Sequence, residues 1–570
     1  MEVHMARTVG IGIQDFGKVI KNNCFYVDKT DFIREWWESN DEVTLITRPR
    51  RFGKTLNMSM LDYFFSVEHA DKGNLFEGLS IWEDEKYRSL QGTYPVISLS
   101  FALIKETNYR TACYRIRQLF MKLYEKNRFL QTSELLSDAE KDYCKRMAAG
   151  MDEEDASLAL YQLSDYLCRY YGKKVLIFLD EYDTPMQEAY VNGYWDELAA
   201  FMRSLFNSTF KTNPYLDRAV MTGITRMSKE SIFSDLNNLE VVTTTSSRYE
   251  AAFGFTEQEV FAAMDELDRM GKEKVKAWYD GFTFGNVTDI YNPWSIINFL
   301  DTGKFETYWA NTSANSLAGK LIREGSTGVK QKFEILLEGK TIRSEIDEQI
   351  VYNQLDQRED AIWGLLLASG YLKVVSYEEC TETPDGRFVG ASYELALTNG
   401  EVRMMFGDII KGWFGRSQSD YNDFVKALLK GDLKAMNGYM NRVALSTFSY
   451  FDTGERPSGA EPERFYHGFV LGLLVELRGR YLLSSNRESG FGRYDVMLEP
   501  LNQADNAMIL EFKVHDREDE RTLADTVQAA LKQIEEKKYE QQLADRGIER
   551  ERIRKYGFAF EGKKVLIGER

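Results

Sequence analysis

The amino-acid sequence predicts an α/β fold whose N-terminal part is built on a mostly parallel sheet. The run KKVLIFLDEYD at 173–183 is apolar almost throughout, as expected for a strand that is covered on both faces of such a sheet. A β-branched run, VTLIT at 43–47, and a helical segment at 196–210 belong to the same alternation of strands and helices. That alternation is what parallel strands joined by crossover helices require.

The other elements of this part follow from local patterns in chain order. Residues 55–66 contain no Gly or Pro and repeat apolar side chains at helical spacing. Further strands are predicted at 94–101 and 217–225. The pattern then becomes helical, with Thr256 as an N-cap and Glu259 as its capping-box partner. A helical region is therefore expected to follow the sheet.

The rest of the chain predicts a mixed region and a C-terminal α/β unit. Helices and strands are mixed between residue 301 and about residue 455. The pattern that follows is helix, three strands, helix and a closing strand or hairpin, at 462–480, 481–514, 522–539 and 556–568. These changes of pattern give three predicted domains, with limits 1–250, 251–455 and 456–570.

Composition and charge exclude several classes of protein. The 570 residues are 43% hydrophobic and 28% charged, which is typical of a folded rather than a disordered protein. The net charge of −17 argues against a chain that coats nucleic acid with its whole surface, because such binding depends on Lys and Arg. Residues 511–570 hold 14 basic and 14 acidic residues, so the acidic excess lies upstream and a C-terminal module remains compatible with a polyanion.

Cysteine and apolar patterns indicate a cytoplasmic protein. The five cysteines show no C-x-x-C pairing and no metal-ligand spacing with the four histidines. The N-terminus lacks an apolar stretch of signal-peptide length, and no window approaches the ~18 apolar residues of a membrane span. We therefore expect a cytoplasmic location and no membrane partner.

The segment TRPRRFGKTL at 47–56 indicates a phosphate-binding loop. Gly53, Lys54 and Thr55 stand between a predicted strand and a predicted helix, where backbone N–H groups, an ammonium and a hydroxyl bind an oligophosphate and its magnesium. Arg48 occupies the position of the first glycine of the usual motif. The alternative interpretation is an incidental Gly-Lys-Thr.

The acidic end of the strand VLIFLD favours the nucleotide site. This strand ends in Asp180 and is followed by Glu181, which gives one carboxylate for magnesium and a second to orient the attacking water. Two acids at a strand end are common by themselves, but they are uncommon in the right order after a phosphate loop. The two patterns together predict an ATPase core.

Two carboxylates and a lysine near the C-terminus predict a second chemical site. Asp495 lies in one predicted strand, and Glu511 and Lys513 lie two residues apart in the next. Alternate residues of a strand share a face, so Glu511 and Lys513 point together while Phe512 points into the core. Metal-dependent phosphodiester hydrolysis needs carboxylates that converge on a divalent ion beside a lysine. The alternative is a solvated strand face with alternating charges.

Motifs along nearly the whole chain resemble those of one family, the AAA-ATPase-like proteins that carry a C-terminal PD-(D/E)xK nuclease-like domain. The matching stretches are FYVDKTDFI, RPRRFGKTL, FLDEYDTP, TGITRMSKESIFSDLNNL, FGFTEQEV, WYDGFTFG, YNPWSI, GRYDVML and EFKV. Because R-P-R-R-F-G-K-T is similar to the family's own phosphate loop, Arg48 becomes a family feature. The resemblance implies an AAA-like P-loop domain, a helical and mixed connecting region, and a restriction-endonuclease-like α/β domain.

The resemblance also implies roles for individual residues of the nucleotide site. Magnesium would be held by Thr55 and Asp180, and Glu181 would assist hydrolysis. Thr222 or Arg226 would sense the γ-phosphate. Besides Asp180, the residues that would bind ATP are Arg51, Phe52, Gly53, Lys54, Thr55 and Leu56.

In the C-terminal domain, the resemblance implies that Asp495 and Glu511 hold Mg²⁺ or Mn²⁺ and act in cleavage together with Lys513. A helical glutamate completes the metal site in many relatives, and the choice between Glu463 and Glu476 stays open.

Three other residues of this domain have a less specific signal. Gln533 and Tyr539 resemble a further motif on the following helix, although Tyr539 suits core packing equally well. His467 is expected to be a buried, hydrogen-bonded imidazole rather than a ligand.

Two functions follow from these patterns. The leading one is an ATPase coupled to a metal-dependent nuclease that acts on DNA or RNA, with ATP and magnesium as cofactors. The alternative is a nucleotide-dependent switch or scaffold whose nuclease-like domain only binds a protein or nucleic-acid partner. The presence of Asp495, Glu511 and Lys513 together argues against this alternative, whereas the acidic bulk favours a protein partner. The sequence leaves open whether the subunits form a homo-oligomer.

Overall fold

The computed structural model divides into two compact units. The first comprises Met1–Leu321 with Gly339–Arg403, and the second comprises Ile322–Glu338 with Met404–Arg570. The three domain limits taken from the sequence stay a prediction. The structure describes residues 7–226, 232–233, 235–309, 318–319, 321–322, 326–346, 358–378, 381–382, 388–389, 391–414, 418–447, 470, 473–474, 477, 480–489, 492–502, 504–516, 520–561 and 564–570.

Helices occur in both units, and they alternate with strands through most of the first. The helices are α1 (Phe16–Lys21), α2 (Asp31–Ser39), α3 (Lys54–Phe65), α4 (Glu85–Arg88), α5 (Tyr109–Lys126), α6 (Asp138–Ala149), α7 (Glu153–Tyr171), α8 (Thr184–Asn192), α9 (Trp195–Phe210), α10 (Glu257–Glu266), α11 (Lys272–Tyr279), α12 (Pro293–Thr302), α13 (Thr327–Leu337), α14 (Glu359–Ala368), α15 (Gly400–Phe414), α16 (Gln418–Lys430), α17 (Leu433–Thr447), α18 (Leu523–Glu536) and α19 (Gln541–Asp545).

The strands form two larger sheets and several small ones. They are β1 (Val43–Thr47), β2 (Val96–Ser100), β3 (Val175–Asp180), β4 (Leu216–Gly223), β5 (Leu239–Val242), β6 (Phe255–Thr256), β7 (Phe282–Phe284), β8 (Val287–Tyr291), β9 (Ile342–Ser344), β10 (Leu372–Glu378), β11 (Thr381–Glu382), β12 (Phe388–Val389), β13 (Ser392–Leu397), β14 (Tyr481–Ser489), β15 (Gly492–Pro500), β16 (Ala507–Val514), β17 (Ile553–Glu561) and β18 (Lys564–Glu569).

The central sheet of the first unit is parallel throughout, with the order β2-β3-β4-β1-β5. Every residue of β1 and β3 is buried, which is why both read as continuous apolar or β-branched runs. Strand β4 separates these two strands, so the loop after β1 and the acids after β3 lie on the same edge of the sheet, one strand apart. Ligands of open α/β sheets bind at the carboxyl ends of the strands. The predicted fold class of this part is confirmed.

Strand β5 is an element that the sequence analysis missed. It has only four residues, and three of them are half-buried, so it shows no apolar run. Its pairing with β1 adds a strand at the edge of the sheet. Short edge strands carry the weakest sequence signal because only part of their surface is buried.

The predicted capping box at the start of α10 is confirmed. The Thr256 hydroxyl accepts a hydrogen bond from the Glu259 amide at 3.4 Å, and the Glu259 carboxylate accepts one from the Thr256 amide at 2.7 Å. Glu259 also accepts hydrogen bonds from the buried Lys29 ammonium, 2.7 Å from each of its oxygens. This ion pair fixes the start of α10 to the FYVDKT segment near the N-terminus.

The C-terminal part of the second unit is a mixed sheet with the order β14-β15-β16-β17-β18. Strands β16 and β17 are parallel, and the other neighbours are antiparallel. Apolar residues of α18 pack on one face of the sheet. The closing element is the hairpin of β17 and β18 rather than a single strand. The predicted helix at 462–480 falls mostly outside the described residues.

Membrane insertion finds no support in the helices. Within the described ranges, none of them combines the length and the apolar character that crossing a lipid bilayer requires.

Candidate functional site

The phosphate loop connects the end of β1 to the start of α3. Gly53 has a φ of +81° and is the N-cap of α3, a left-handed conformation that glycine adopts without the steric cost of a side chain. The first amide groups of a helix have no partner within the helix. They therefore point toward the loop and provide the usual setting for a bound phosphate.

Lys54, the first residue of α3, lies buried against this loop. Its ammonium donates to the carbonyl oxygens of Arg48 and Pro49, each at 2.8 Å. Burial lowers the pKa of Lys54, and the nearby carboxylates of Glu181 and Asp180 oppose that shift. The ammonium thus lies between the loop backbone and the acidic end of β3, where a phosphate would replace the carbonyls as its partner.

Asp180 links the phosphate loop to the end of β4. Its Oδ2 accepts a hydrogen bond from the Thr55 hydroxyl at 2.7 Å, and its Oδ1 accepts one from the Thr222 hydroxyl at 2.5 Å. Burial raises the pKa of this carboxyl, whereas the two hydroxyl donors lower it. Magnesium prefers oxygen ligands such as carboxylates and hydroxyls, so Thr55 and Asp180 form a donor pair that fits this ion.

Glu181 has a backbone conformation that is unusual for a residue with a side chain. Its φ is +51°, in the left-handed region that costs about 1–3 kcal/mol outside glycine. Its carboxylate accepts a hydrogen bond from the Thr184 hydroxyl at 3.0 Å, and its amide donates to the Thr222 hydroxyl at 3.4 Å. These two contacts with Thr184 and Thr222 hold Glu181 at the end of β3.

Arg48 is a structural residue of the loop. It is fully buried, and its guanidinium donates to the carbonyl oxygens of Thr47, Thr243, Arg248 and Tyr249 at 2.7–3.3 Å. It also lies 4.6 Å from the centre of the Phe284 ring. Burial lowers its pKa to about 9. The arginine that replaces the first glycine of the usual motif therefore anchors the loop to the segment that follows β5.

We expect Arg48→Met to lower the free energy of unfolding by about 2–4 kcal/mol, because four carbonyl groups, three of them in buried contacts, lose a charged donor. In thermal unfolding of the full chain, the midpoint temperature of the first transition should fall by several degrees. Arg248→Ala is the control, since Arg248 is an exposed partner of Asp41 and such pairs contribute about 1 kcal/mol or less. An unchanged transition for Arg48→Met would contradict this assignment.

The other predicted loop residues differ in what their side chains contact. Phe52 is buried, and its ring packs on Phe282 with 4.7 Å between centroids, so its backbone is the part that faces the loop. The exposed Arg51 stacks on Trp294 at 4.4 Å. Leu56 is partly buried against the apolar core. The ATP-binding roles of these residues stay predictions.

Of the two predicted γ-phosphate sensors, the structure ties one directly to the site. Thr222 is fully buried and bonded to Asp180. Arg226 is half-buried and follows β4 by three residues. Its distance from Asp180 depends on the turn between Gly223 and Arg226.

In the second unit, Asp495 and Glu511 come from neighbouring antiparallel strands. The register pairs Val496 of β15 with Leu510 of β16, which puts Asp495 opposite Glu511 at the next position. The Asp495 carboxylate accepts a hydrogen bond from the Phe512 amide at 2.8 Å. Its side chain is thus joined to the backbone of β16 beyond the last paired position.

Glu511 is buried and is contacted from helix α18. The Gln533 amide nitrogen donates to the Glu511 carboxylate and lies 3.3 Å from the Tyr539 hydroxyl. Burial, together with the nearby charges of Glu511 and Asp495, raises the pKa of Tyr539 to about 12. The structure therefore brings Asp495, Glu511, Gln533 and Tyr539 together. Two carboxylates that converge in this way fit a divalent ion.

Lys513 follows Glu511 on the same face of β16, while Phe512 packs in the core on the opposite face. His515 continues this alternation, and its Nδ1 lies 2.9 Å from the Thr526 hydroxyl on α18. His515 was not predicted, although the spacing E-x-K-x-H was available as a signal. Three candidate residues lie outside the described part of the chain: Glu463, Glu476 and His467.

An acidic cluster in the first unit was also missed. Carboxylate oxygens of Glu257, Asp280 and Asp289 lie within 4.8 Å of one another. Burial and the neighbouring Asp289 raise the pKa of Asp280 to about 7. Lys276 forms an ion pair with Glu257 at 2.6 Å and offsets part of the negative charge. The three acids are separated in sequence, and the pairing of β8 with both β6 and β7 brings them together.

Comparisons with known proteins find two matching families along the chain. Residues 10–233 match the family model described as "Predicted AAA-ATPase", and residues 461–570 match the model of the PD-(D/E)XK nuclease superfamily. An uncharacterised protein from the vnfD 5′ region of Azotobacter chroococcum mcd 1 is 27% identical over 319 residues. That match covers 55% of this chain and 56% of the relative. The chain thus carries an AAA-ATPase-like domain followed by a C-terminal domain of the PD-(D/E)XK nuclease superfamily.

Proposed function

We propose that the protein is a cytoplasmic, magnesium-dependent ATPase whose nucleotide state controls a metal-dependent nuclease acting on DNA or RNA. The observation that carries the proposal is the link from Thr55 through Asp180 to Thr222 beside the buried Lys54. It joins the phosphate loop, the acidic strand end and the neighbouring strand, which supports a site that binds a phosphate with its magnesium.

In the proposed ATPase reaction, this chain's residues bind and orient the reactants. The loop amides and Lys54 bind the phosphates, and Glu181 orients a water molecule and accepts its proton. The water oxygen forms a bond to the γ-phosphorus, the bond to the β,γ-bridging oxygen breaks, and ADP leaves with that electron pair. When bound to Thr55 and Asp180, magnesium supplies positive charge to the phosphate oxygens.

In the proposed nuclease reaction, Asp495 and Glu511 form the metal-binding pair and Lys513 lies beside them. A divalent ion held by Asp495 and Glu511 would supply an activated water and positive charge at the scissile phosphate. Lys513 stabilises negative charge that develops on the phosphate. Gln533 holds the Glu511 carboxylate in position, and the Tyr539 hydroxyl in turn contacts Gln533. The phosphate gains one bond to the water oxygen and loses one ester bond, whose oxygen leaves as a hydroxyl group.

The coupling of the two activities is tested by measuring cleavage of a mixed DNA and RNA panel in different nucleotide states. The reactions contain magnesium or manganese with no nucleotide, ADP, ATP or a non-hydrolysable ATP analogue. We expect at least a roughly tenfold difference in cleavage rate between ATP and ADP, equivalent to about 1.4 kcal/mol of coupling. Equal rates would contradict the coupling, and no cleavage in any state would favour the switch or scaffold function.

A further inference from the structure

Arg50 is a cation of the phosphate loop with an uncharged partner. Its side chain is half-buried, and Nη2 donates to the amide oxygen of Gln187 on α8 at 3.2 Å. Arginine is well suited to bind phosphate oxygens because its planar guanidinium presents several donors. A contact with a neutral amide leaves its charge available to an anion.

Arg50 also lies close enough to Lys54 to affect it. Lys54 is buried, and repulsion from Arg50 adds to the burial that lowers its pKa. Two cations close together in one loop repel each other. The carboxylates of Glu181, Asp180 and Asp183 offset part of this repulsion, and a triphosphate bound between the two cations would offset more of it. Arg50 thus adds a second cation beside the lysine that the Gly-Lys-Thr motif supplies.

A chain of hydrogen bonds connects Arg50 with the end of β4. The Gln187 amide nitrogen donates to Oδ2 of Asp183 at 3.0 Å. The same oxygen accepts hydrogen bonds from the amides of Ile224 and Thr225, at 2.9 and 3.0 Å. Asp183 is fully buried, and these three donors satisfy its Oδ2. Asp183, which fixes the turn after β4, thus also holds Gln187, and Gln187 in turn holds Arg50.

We propose that Arg50 contacts the γ-phosphate of ATP bound in the same chain, with Gln187 and Asp183 as positioning residues. The inference rests on the proposed ATPase function and deepens it. As the bond from the γ-phosphorus to the bridging oxygen breaks, the Arg50 guanidinium stabilises charge on the γ-phosphoryl oxygens. An arginine supplied within the same chain makes ATP turnover independent of a neighbouring subunit.

The test compares Arg50→Ala and Arg50→Lys in the full chain. Turnover is measured under steady-state conditions, and affinities are measured for ADP and for a non-hydrolysable ATP analogue. We expect Arg50→Ala to lower kcat by at least about 100-fold, in the range known for catalytic arginines. Affinity for the ATP analogue should fall, while affinity for ADP, which lacks the γ-phosphate, should stay within about twofold. Arg50→Lys should restore part of kcat because it keeps the charge.

Two comparisons distinguish this role from a structural one. Arg128→Ala removes a surface arginine whose side chain is 76% exposed, and it should leave all these constants unchanged. Gln187→Leu should lower kcat more than it changes affinity for ADP. Turnover per subunit of the wild-type protein should stay constant over about a hundredfold dilution, since an arginine from a second subunit would be lost by mass action.

Several results would overturn the inference. Arg50→Ala with kcat near that of wild type, or with equal losses of affinity for ADP and for the ATP analogue, would exclude a γ-phosphate contact. Turnover per subunit that falls on dilution would indicate an arginine from another chain. In each case, turnover by the wild type and its loss in Lys54→Ala would leave the ATPase proposal intact. A wild-type protein without turnover would overturn both proposals.

Discussion

Lys54→Ala is expected to lower ATP turnover by at least about 100-fold, because it removes the buried ammonium that would bind the phosphates. In the structure this ammonium donates hydrogen bonds of 2.8 Å to two loop carbonyl oxygens, and the carboxylates of Glu181 and Asp180 lie near it. The measurement is release of phosphate by the purified full chain with magnesium in excess. Turnover that is unchanged in Lys54→Ala would contradict the nucleotide site.

Glu181→Gln distinguishes binding from chemistry at the same site. The glutamine side chain can still accept the hydrogen bond that Thr184 donates to Glu181 at 3.0 Å, so the strand end should keep its shape. We expect nucleotide affinity within a few-fold of wild type and a loss of roughly 10²–10⁴ in kcat, because a neutral amide cannot accept the proton of water. Equal losses in binding and turnover would show that Glu181 acts by supporting the site rather than in the chemical step.

The second large effect is expected at the nuclease site. Asp495→Asn, Glu511→Gln and Lys513→Ala should each lower metal-dependent cleavage by at least about 100-fold, because each removes a charge that binds the ion or stabilises the transition state. Asp495→Asn is the most informative of these, since its amide oxygen can still accept the Phe512 amide at the present distance of 2.8 Å. The strand pairing should therefore survive while the negative charge is lost.

The control for this experiment is another carboxylate of the same strand. Glu499 of β15 pairs with Arg546, away from the predicted metal-binding pair, so Glu499→Gln should cleave at the wild-type rate. Removal of divalent ions with a chelator should abolish cleavage, and magnesium or manganese should restore it. Cleavage that persists in Asp495→Asn or in the presence of chelator would exclude this site as its source.

The local elements were predictable because each leaves a periodic signal in the chain. β1 is observed at the limits that the run VTLIT gave, and β3 lies within the predicted strand at 173–183. The capping box of Thr256 and Glu259 was equally readable, since its two partners are three residues apart. The alternation in EFK predicted that Glu511 and Lys513 share a face while Phe512 enters the core, and the described cores agree.

Contacts between distant segments were not predictable in the same way. Arg48 was seen in the sequence only as a departure from the usual loop, but it binds carbonyls about 200 positions away. The link from Thr55 to Asp180 spans 125 positions. No periodic pattern specifies which side chain meets which carbonyl across such a separation, because the partners are chosen by packing of the whole sheet.

The sequence alone determined which groups are available for chemistry in this protein. They are a loop that suits phosphate, an acidic strand end, and a set of carboxylates and a lysine on C-terminal strands. These follow from residue type and short-range periodicity, which the chain encodes directly. Only the tertiary structure decided that β4 lies between β1 and β3, that Arg48 is an internal anchor, and that Arg50 is joined through Gln187 to Asp183. Strand order and long-range hydrogen bonds depend on the free energy of the folded chain as a whole.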